Sequence, residues 1–175
     1  MQIERLKAIV LYVLKEVPGK FLGKHELFKI LYFASQKRLV RYGYAMINDF
    51  YAFQYGPVPS ELWNYLNSGN NAIISSVNLE EEAKYILSPI EEPDMEELSK
   101  ADVECLKEAI KENYGLSFYE LSNKSHDSAW HKAWQNSVGK RGAKMDIIEI
   151  ARAAGADDRT VEFIREELTL EAALK

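Results

Sequence analysis

The run Leu27-Phe28-Lys29-Ile30-Leu31-Tyr32-Phe33-Ala34 constrains this chain more than any other stretch. It sits in a segment of helical character from about Lys24 to Tyr42, closed by Gly43 in the position that follows a helix C-terminus. Apolar side chains occupy nearly every face, and a helix apolar all round must be enclosed by other elements. The segment is therefore read as the central element of the fold. Its last two turns carry Lys37, Arg38 and Arg41, the sign that suits the negative end of the helix dipole.

The flanking sequence supplies what would enclose it. Ile3, Leu6, Ile9, Val10, Val13 and Leu14 recur at helical spacing until Pro18-Gly19 ends the pattern. Phe50, Tyr51, Phe53 and Tyr55, between Asn48-Asp49 and Gly56-Pro57, predict a strand over 49–55. Pro57 and Pro59 lead into a short helix over 60–66. Two more short strands are predicted at 72–76 and 85–90, and Pro89 confines the second to a sheet edge or a strand end. An acidic connector over 91–97 precedes a helix capped by Ser99 or Asp102 and ended by Gly115. Short helices follow near 117–123 and 128–136, then a basic loop over 137–142. Two last helices, about 145–154 and 158–173, complete the chain. The expected fold is one mainly α (α+β) domain over 1–175, with about seven helices and a small two- or three-stranded antiparallel sheet.

Composition narrows the function classes. The 175 residues include a single cysteine, Cys105, which has no internal disulfide partner and reads as a reduced thiol of a cytoplasmic protein. No apolar run approaches the roughly 18 residues of a membrane span, so no membrane partner is expected. Charge is uneven: residues 1–44 hold nine Lys/Arg and three acids, whereas residues 45–100 hold two Lys and ten acids. That is read first as helix faces of different sign, and second as a dipolar surface that steers a charged partner. A pI of 5.3 argues against nucleic acid.

No catalytic constellation emerges. His126 and His131 are five residues apart, a rotation of about 140° on one helix, which separates them rather than forming a metal pair. No nucleophile elbow, P-loop or dinucleotide fingerprint occurs. Neither a metal nor a cofactor is expected. The aromatic residues are the richer signal. Tyr51, Phe53, Tyr55, Trp63 and Tyr65 crowd fifteen residues, and Trp130 and Trp134 share a helix face. Core packing is the first reading, and an exposed binding patch is the alternative.

Three segments in order resemble one family. Leu27 to Ala34 is similar to its L-x-K-L-L-Y-F-A helix, through Tyr32 and Phe33. The sequence Tyr55-Gly56-Pro57-Val58 is similar to its Y-G-P-V turn. Leu121 to His126, continued by Trp130 and Ala133, is similar to its third segment. The family is that of the Panacea domain, the SocA-like antitoxins often labelled phage-associated proteins, and the resemblance is strongest over 24–134. It implies a small helical protein that neutralises a toxin encoded nearby by direct contact, with a protease as a further partner in some members. It implies no catalytic residue. Residues 140–175 form a C-terminal helical pair outside the resemblance. Candidate contact residues are Glu80, Glu81 and Glu82 in the acidic stretch, and Arg159, Glu162 and Arg165 on the last helix. A second reading is a transcriptional regulator that binds nucleic acid through the basic first two helices. His126 is expected to hydrogen-bond across to the Gly56-Pro57 turn.

Overall fold

A computed structural model describes residues 2–67, 77–80, 86–138 and 141–174, with the backbone alone at 77–80 and 141. The described residues hold eight α-helices: α1 (Ile3–Glu16), α2 (Lys24–Tyr42), α3 (Ser60–Asn67), α4 (Lys100–Asn113), α5 (Phe118–Ser125), α6 (Ser128–Trp134), α7 (Ile147–Ala153) and α8 (Asp158–Ala173). Six short strands accompany them: β1 (Leu22–Gly23), β2 (Phe50–Phe53), β3 (Gly56–Pro59), β4 (Val77–Glu80), β5 (Ile86–Pro89) and β6 (Arg141–Lys144). The mainly helical α+β fold is as expected.

Helix α2 is the centre. Every residue from Leu27 to Ser35 is buried, so this stretch has no solvent face. The N-terminus of α2 is closed by the Glu26 carboxylate, which accepts from the Gly23 N–H at 3.0 Å. Its C-terminus ends at Gly43, in the left-handed region at φ 73°, where the N–H donates to Leu39 O at 3.0 Å. A side chain at Gly43 would strike the Phe163 ring, so this glycine also lets α8 approach. Met145, Ile150, Ala151 and Ile164 of the C-terminal segment belong to the same core cluster as α1 and α2.

The strands form two antiparallel three-stranded sheets, in the orders β1-β5-β4 and β3-β2-β6. The aromatic segment is a strand, and it is the middle one of its sheet. The end of the expected basic loop, residues 141 and 142, belongs instead to a strand over 141–144 that pairs with β2, and Pro57–Pro59 is strand rather than lead-in. Strand β5 is central in its sheet, yet Pro89 is its last residue and pairs only with Val77, so proline's missing donor interrupts no ladder on its other side. The strand expected over 72–76 lies outside the described residues. No described helix is long and apolar enough to cross a membrane.

The charge asymmetry has a local cause. The bases of α1 and α2 face acids of the 91–112 segment: Lys7 pairs with Glu91, Lys15 with Glu92, Lys37 with Glu112, and Arg41 with Glu104 and Glu108. Arg5 and Arg38 converge on Asp102. The basic first block is thus answered within the molecule, by Glu91 and Glu92 of the acidic block and by Asp102, Glu104, Glu108 and Glu112 of α4.

Candidate functional site

The three recognisable segments meet. Tyr32, fully buried on α2, donates its hydroxyl to Asp127 Oδ2 at 2.7 Å, and Gln36 Nε2 donates to the same oxygen at 2.8 Å. Asp127 caps α6, its Oδ1 accepting from the Trp130 N–H at 3.0 Å. Trp130 in turn donates its indole N–H to Phe53 O on β2 at 2.9 Å. His126, Trp130 and Trp134 stack in a column, with centroid separations of 3.7 and 5.3 Å. The β2–β3 hairpin is thereby bound to both α2 and the α5–α6 corner. Phe33, Val58 and Ala133 are buried around this junction.

The buried cation at the hairpin is Lys29. It is 1% exposed, and its Nζ donates to Pro57 O at 3.0 Å, the bond expected from His126. Nothing in the sequence marked Lys29 except its place inside an otherwise apolar run. Burial pushes its ammonium down to about 7. The His126 imidazole is also lowered, by burial first and then by His131 and Lys29, with the Gln54 backbone drawing it partly back. Gly56 makes the approach of Lys29 possible, because its φ is 108° and a Cβ there would overlap Ser125 Oγ and Lys29 Cε.

Beside this junction lies a cavity of about 670 Å³, bounded by the start of α2, the hairpin, α3 and the start of α5. Phe28, Phe53 and Trp63 form one group of contacting rings on it. His25 and Phe118, stacked at 4.0 Å, form another with Tyr55. Burial holds the His25 imidazole down to about 4, helped by the Lys29 charge. Several of these aromatics remain open to solvent: Tyr55 is 50% exposed, Phe118 42%, Trp63 38%, and the adjoining Tyr119 74%. The aromatic cluster therefore divides. Trp130 and Phe50 are core, whereas Tyr55, Trp63, Phe118 and Tyr119 make an exposed rim. Phe118 and Tyr119 escaped the sequence reading because a helix of eight residues gives too few turns to show which face is buried.

The other candidate contact residues lie elsewhere. Arg159, Glu162 and Arg165 are exposed on α8, where Glu162 and Arg165 pair with each other at 3.2 Å. Glu80 ends β4, and Glu81 and Glu82 lie outside the described residues.

Folding drives both Lys29 and His25 toward their neutral forms, so the unfolded chain binds more protons between the folded and unfolded pKa of each. Stability then rises with pH, from about 4 to 6.5 through His25 and from about 7 to 10.5 through Lys29. The Lys29→Met variant is expected to be stabilised relative to the parent at pH 6 and to lose that advantage by pH 10. Urea unfolding at both values measures it; a difference that stays constant with pH would mean Lys29 is not buried as described.

Comparison with known proteins gives a family assignment. The family model for the antitoxin SocA-like Panacea domain matches residues 27–131, which include the central helix, the hairpin and the His126–Trp130 corner. No curated protein and no solved structure matches the chain. With more than half its length under that match, the chain belongs to the SocA-like Panacea antitoxin family.

Proposed function

We propose that the protein neutralises a cognate toxin, encoded nearby, by direct protein–protein contact, and that the aromatic rim is the main contact surface. The observation that carries this is the exposure of Tyr55, Trp63 and Phe118 together around one concavity, with the exposed Tyr119 ring against Phe118. Clustered exposed aromatics supply large contact area at small entropic cost and dominate many interfaces. In this reading the exposed charges of α8, Arg159, Glu162 and Arg165, with the acidic Glu80–Glu82 stretch, form a secondary contact region that tunes encounter rather than holding the complex. Delivery of the bound toxin to a protease is an extension of the same contact. The protein acts by binding, with no catalytic step.

The nucleic-acid reading is less favoured for a specific reason. Arg5, Lys7, Lys15, Lys37, Arg38 and Arg41 already face carboxylates of the same chain. Phosphates would have to displace those partners, and counterion release would be correspondingly reduced.

The test is the affinity for the co-purified toxin of two double variants, Phe118→Ala/Tyr119→Ala and Arg159→Ala/Glu162→Ala. Loss of a central aromatic anchor typically costs about 2 kcal/mol or more. The rim variant is expected to bind at least about 30-fold more weakly with its melting temperature within a few degrees of the parent, and the α8 variant within about fivefold. The opposite ranking would move the interface to α8.

A further inference from the structure

The cavity borders a reactive group that the rim reading does not use, the amine of Lys29. Lys29 is closed to bulk water at 1% exposure, and it has no carboxylate partner among the described residues. Its hydrogen bond to Pro57 O is made by donation, which does not engage the nitrogen lone pair. Burial without a counter-charge favours the neutral amine over the ammonium. With the group pushed down to about 7, most of Lys29 is neutral at pH 7.5, whereas an exposed lysine is neutral in about one molecule per thousand. A lysine desolvated in an apolar pocket is the activated form of this nucleophile, and carbonyl compounds are what it captures.

The walls select what such a compound carries. Phe28, Phe53, Trp63 and Phe118 present rings, Val58 is aliphatic, and no described lining residue is an Asp, Glu or Arg. The volume of about 670 Å³ falls among ordinary small-ligand sites. A flat apolar body fits these walls, and a charged one would be desolvated there at a cost. Lys24 also lies on the wall, but it is already engaged, at Asn67 Oδ1 among others, and plays no part in the reaction.

We propose that Lys29 is a covalent capture site for an aldehyde carried on a flat apolar body, which enters this cavity and forms an imine with Nζ. The Nζ lone pair bonds to the carbonyl carbon, and the carbonyl oxygen leaves as water with the two amine protons. A C=N bond replaces C=O, nothing is oxidised or reduced, and the hydrogen bond to Pro57 is given up for the covalent one. Apolar walls that exclude water slow the return hydrolysis. The proposal goes beyond the toxin-contact reading and does not rest on it, because capture is read with no toxin present.

Reductive trapping on the full chain tests this, with 2-naphthaldehyde and sodium cyanoborohydride at pH 7.5 followed by peptide mass mapping. Lys29 is expected to be labelled at least about tenfold faster than any other amine, Lys24 and the chain's amino terminus included. An excess of naphthalene-2-methanol, which has the rings without the carbonyl, should slow Lys29 at least about fivefold and leave the exposed lysines unchanged. With propanal, an aldehyde without rings, the preference for Lys29 over exposed lysines should fall at least about fivefold. Lys29 labelled no faster than the exposed lysines, or fastest labelling at another amine, would overturn the proposal. So would a preference for Lys29 that is the same with both aldehydes and untouched by the alcohol.

Discussion

Replacing Gly56 by alanine is expected to destabilise the protein by about 3–5 kcal/mol, the range of a strained backbone combined with core overpacking. The residue sits at φ 108°, a conformation that side chains rarely adopt, and its missing Cβ leaves the space taken by Lys29 Cε and by Ser125 Oγ. Both neighbours are fully buried, with Ser125 Oγ donating to Ser122 O at 3.0 Å and Lys29 to Pro57 O, so neither can swing into solvent to make room. For a chain of this size that loss lowers the melting temperature by roughly 10 °C. Gly115→Ala is the control. It also has a positive φ, 85°, but nothing lies within 4 Å of its would-be Cβ. It is expected to cost about 1 kcal/mol, the conformational part alone. Equal losses at the two glycines would show that the hairpin does not press on α2 and α5 as described.

Asp102→Ala is the second large effect. Asp102 is fully buried, and it closes the N-terminus of α4 by accepting from the Ser99 N–H at 2.9 Å and from Ser99 Oγ at 2.7 Å. Its other oxygen faces Arg5 at 3.0 Å and Arg38 Nε at 2.6 Å, which joins α1, α2 and α4 at one carboxylate. Burial pushes this carboxyl up, but the Ser99 hydrogen bonds and the charges of Arg38 and Arg5 outweigh it and hold the group below its ordinary value. Removing it leaves two arginines without their buried partner and takes away the Asp102 half of the α4 capping box, while Ser99 Oγ still accepts from the backbone N–H of residue 102, so a loss of about 3–5 kcal/mol is expected. A carboxyl with a lowered folded pKa contributes stability above its unfolded pKa and loses it as pH falls through the folded value. The gap between parent and Asp102→Ala should therefore close on acidification below about pH 4. Glu104→Ala, at a solvent-exposed pair with Arg41, should cost no more than about 1 kcal/mol. Chemical denaturation of both variants at pH 7 and pH 3 checks the ranking.

These two positions also show what the chain discloses before it folds. Ser99 and Asp102 are visible as a helix start because capping is a local rule that acts over three residues. That Asp102 would gather Arg5 and Arg38, more than sixty residues upstream, is decided by packing and has no local mark. Helix α2 was legible for the opposite reason: its apolar faces demand enclosure whatever encloses them. The strand at 141–144 was not legible, since Arg-Gly-Ala-Lys lacks both alternation and β-branching. It exists because β2 offers an edge, and Gly142 allows the close approach to Ala52. The cavity was hidden in the same way. Its residues come from four separated segments, and Lys29 reads as one polar interruption in a core helix until the hairpin is laid across it.

Growth rescue tests the central claim most directly. The reading frame beside this gene would be expressed alone, with this protein, and with its Phe118→Ala/Tyr119→Ala variant, and colonies counted. The expected result is toxicity of the neighbour alone, rescue by the parent protein, and loss of rescue by the rim variant at equal soluble expression. A toxic neighbour that the parent fails to rescue would contradict neutralisation, and rescue undiminished by the rim variant would contradict the surface assigned to it.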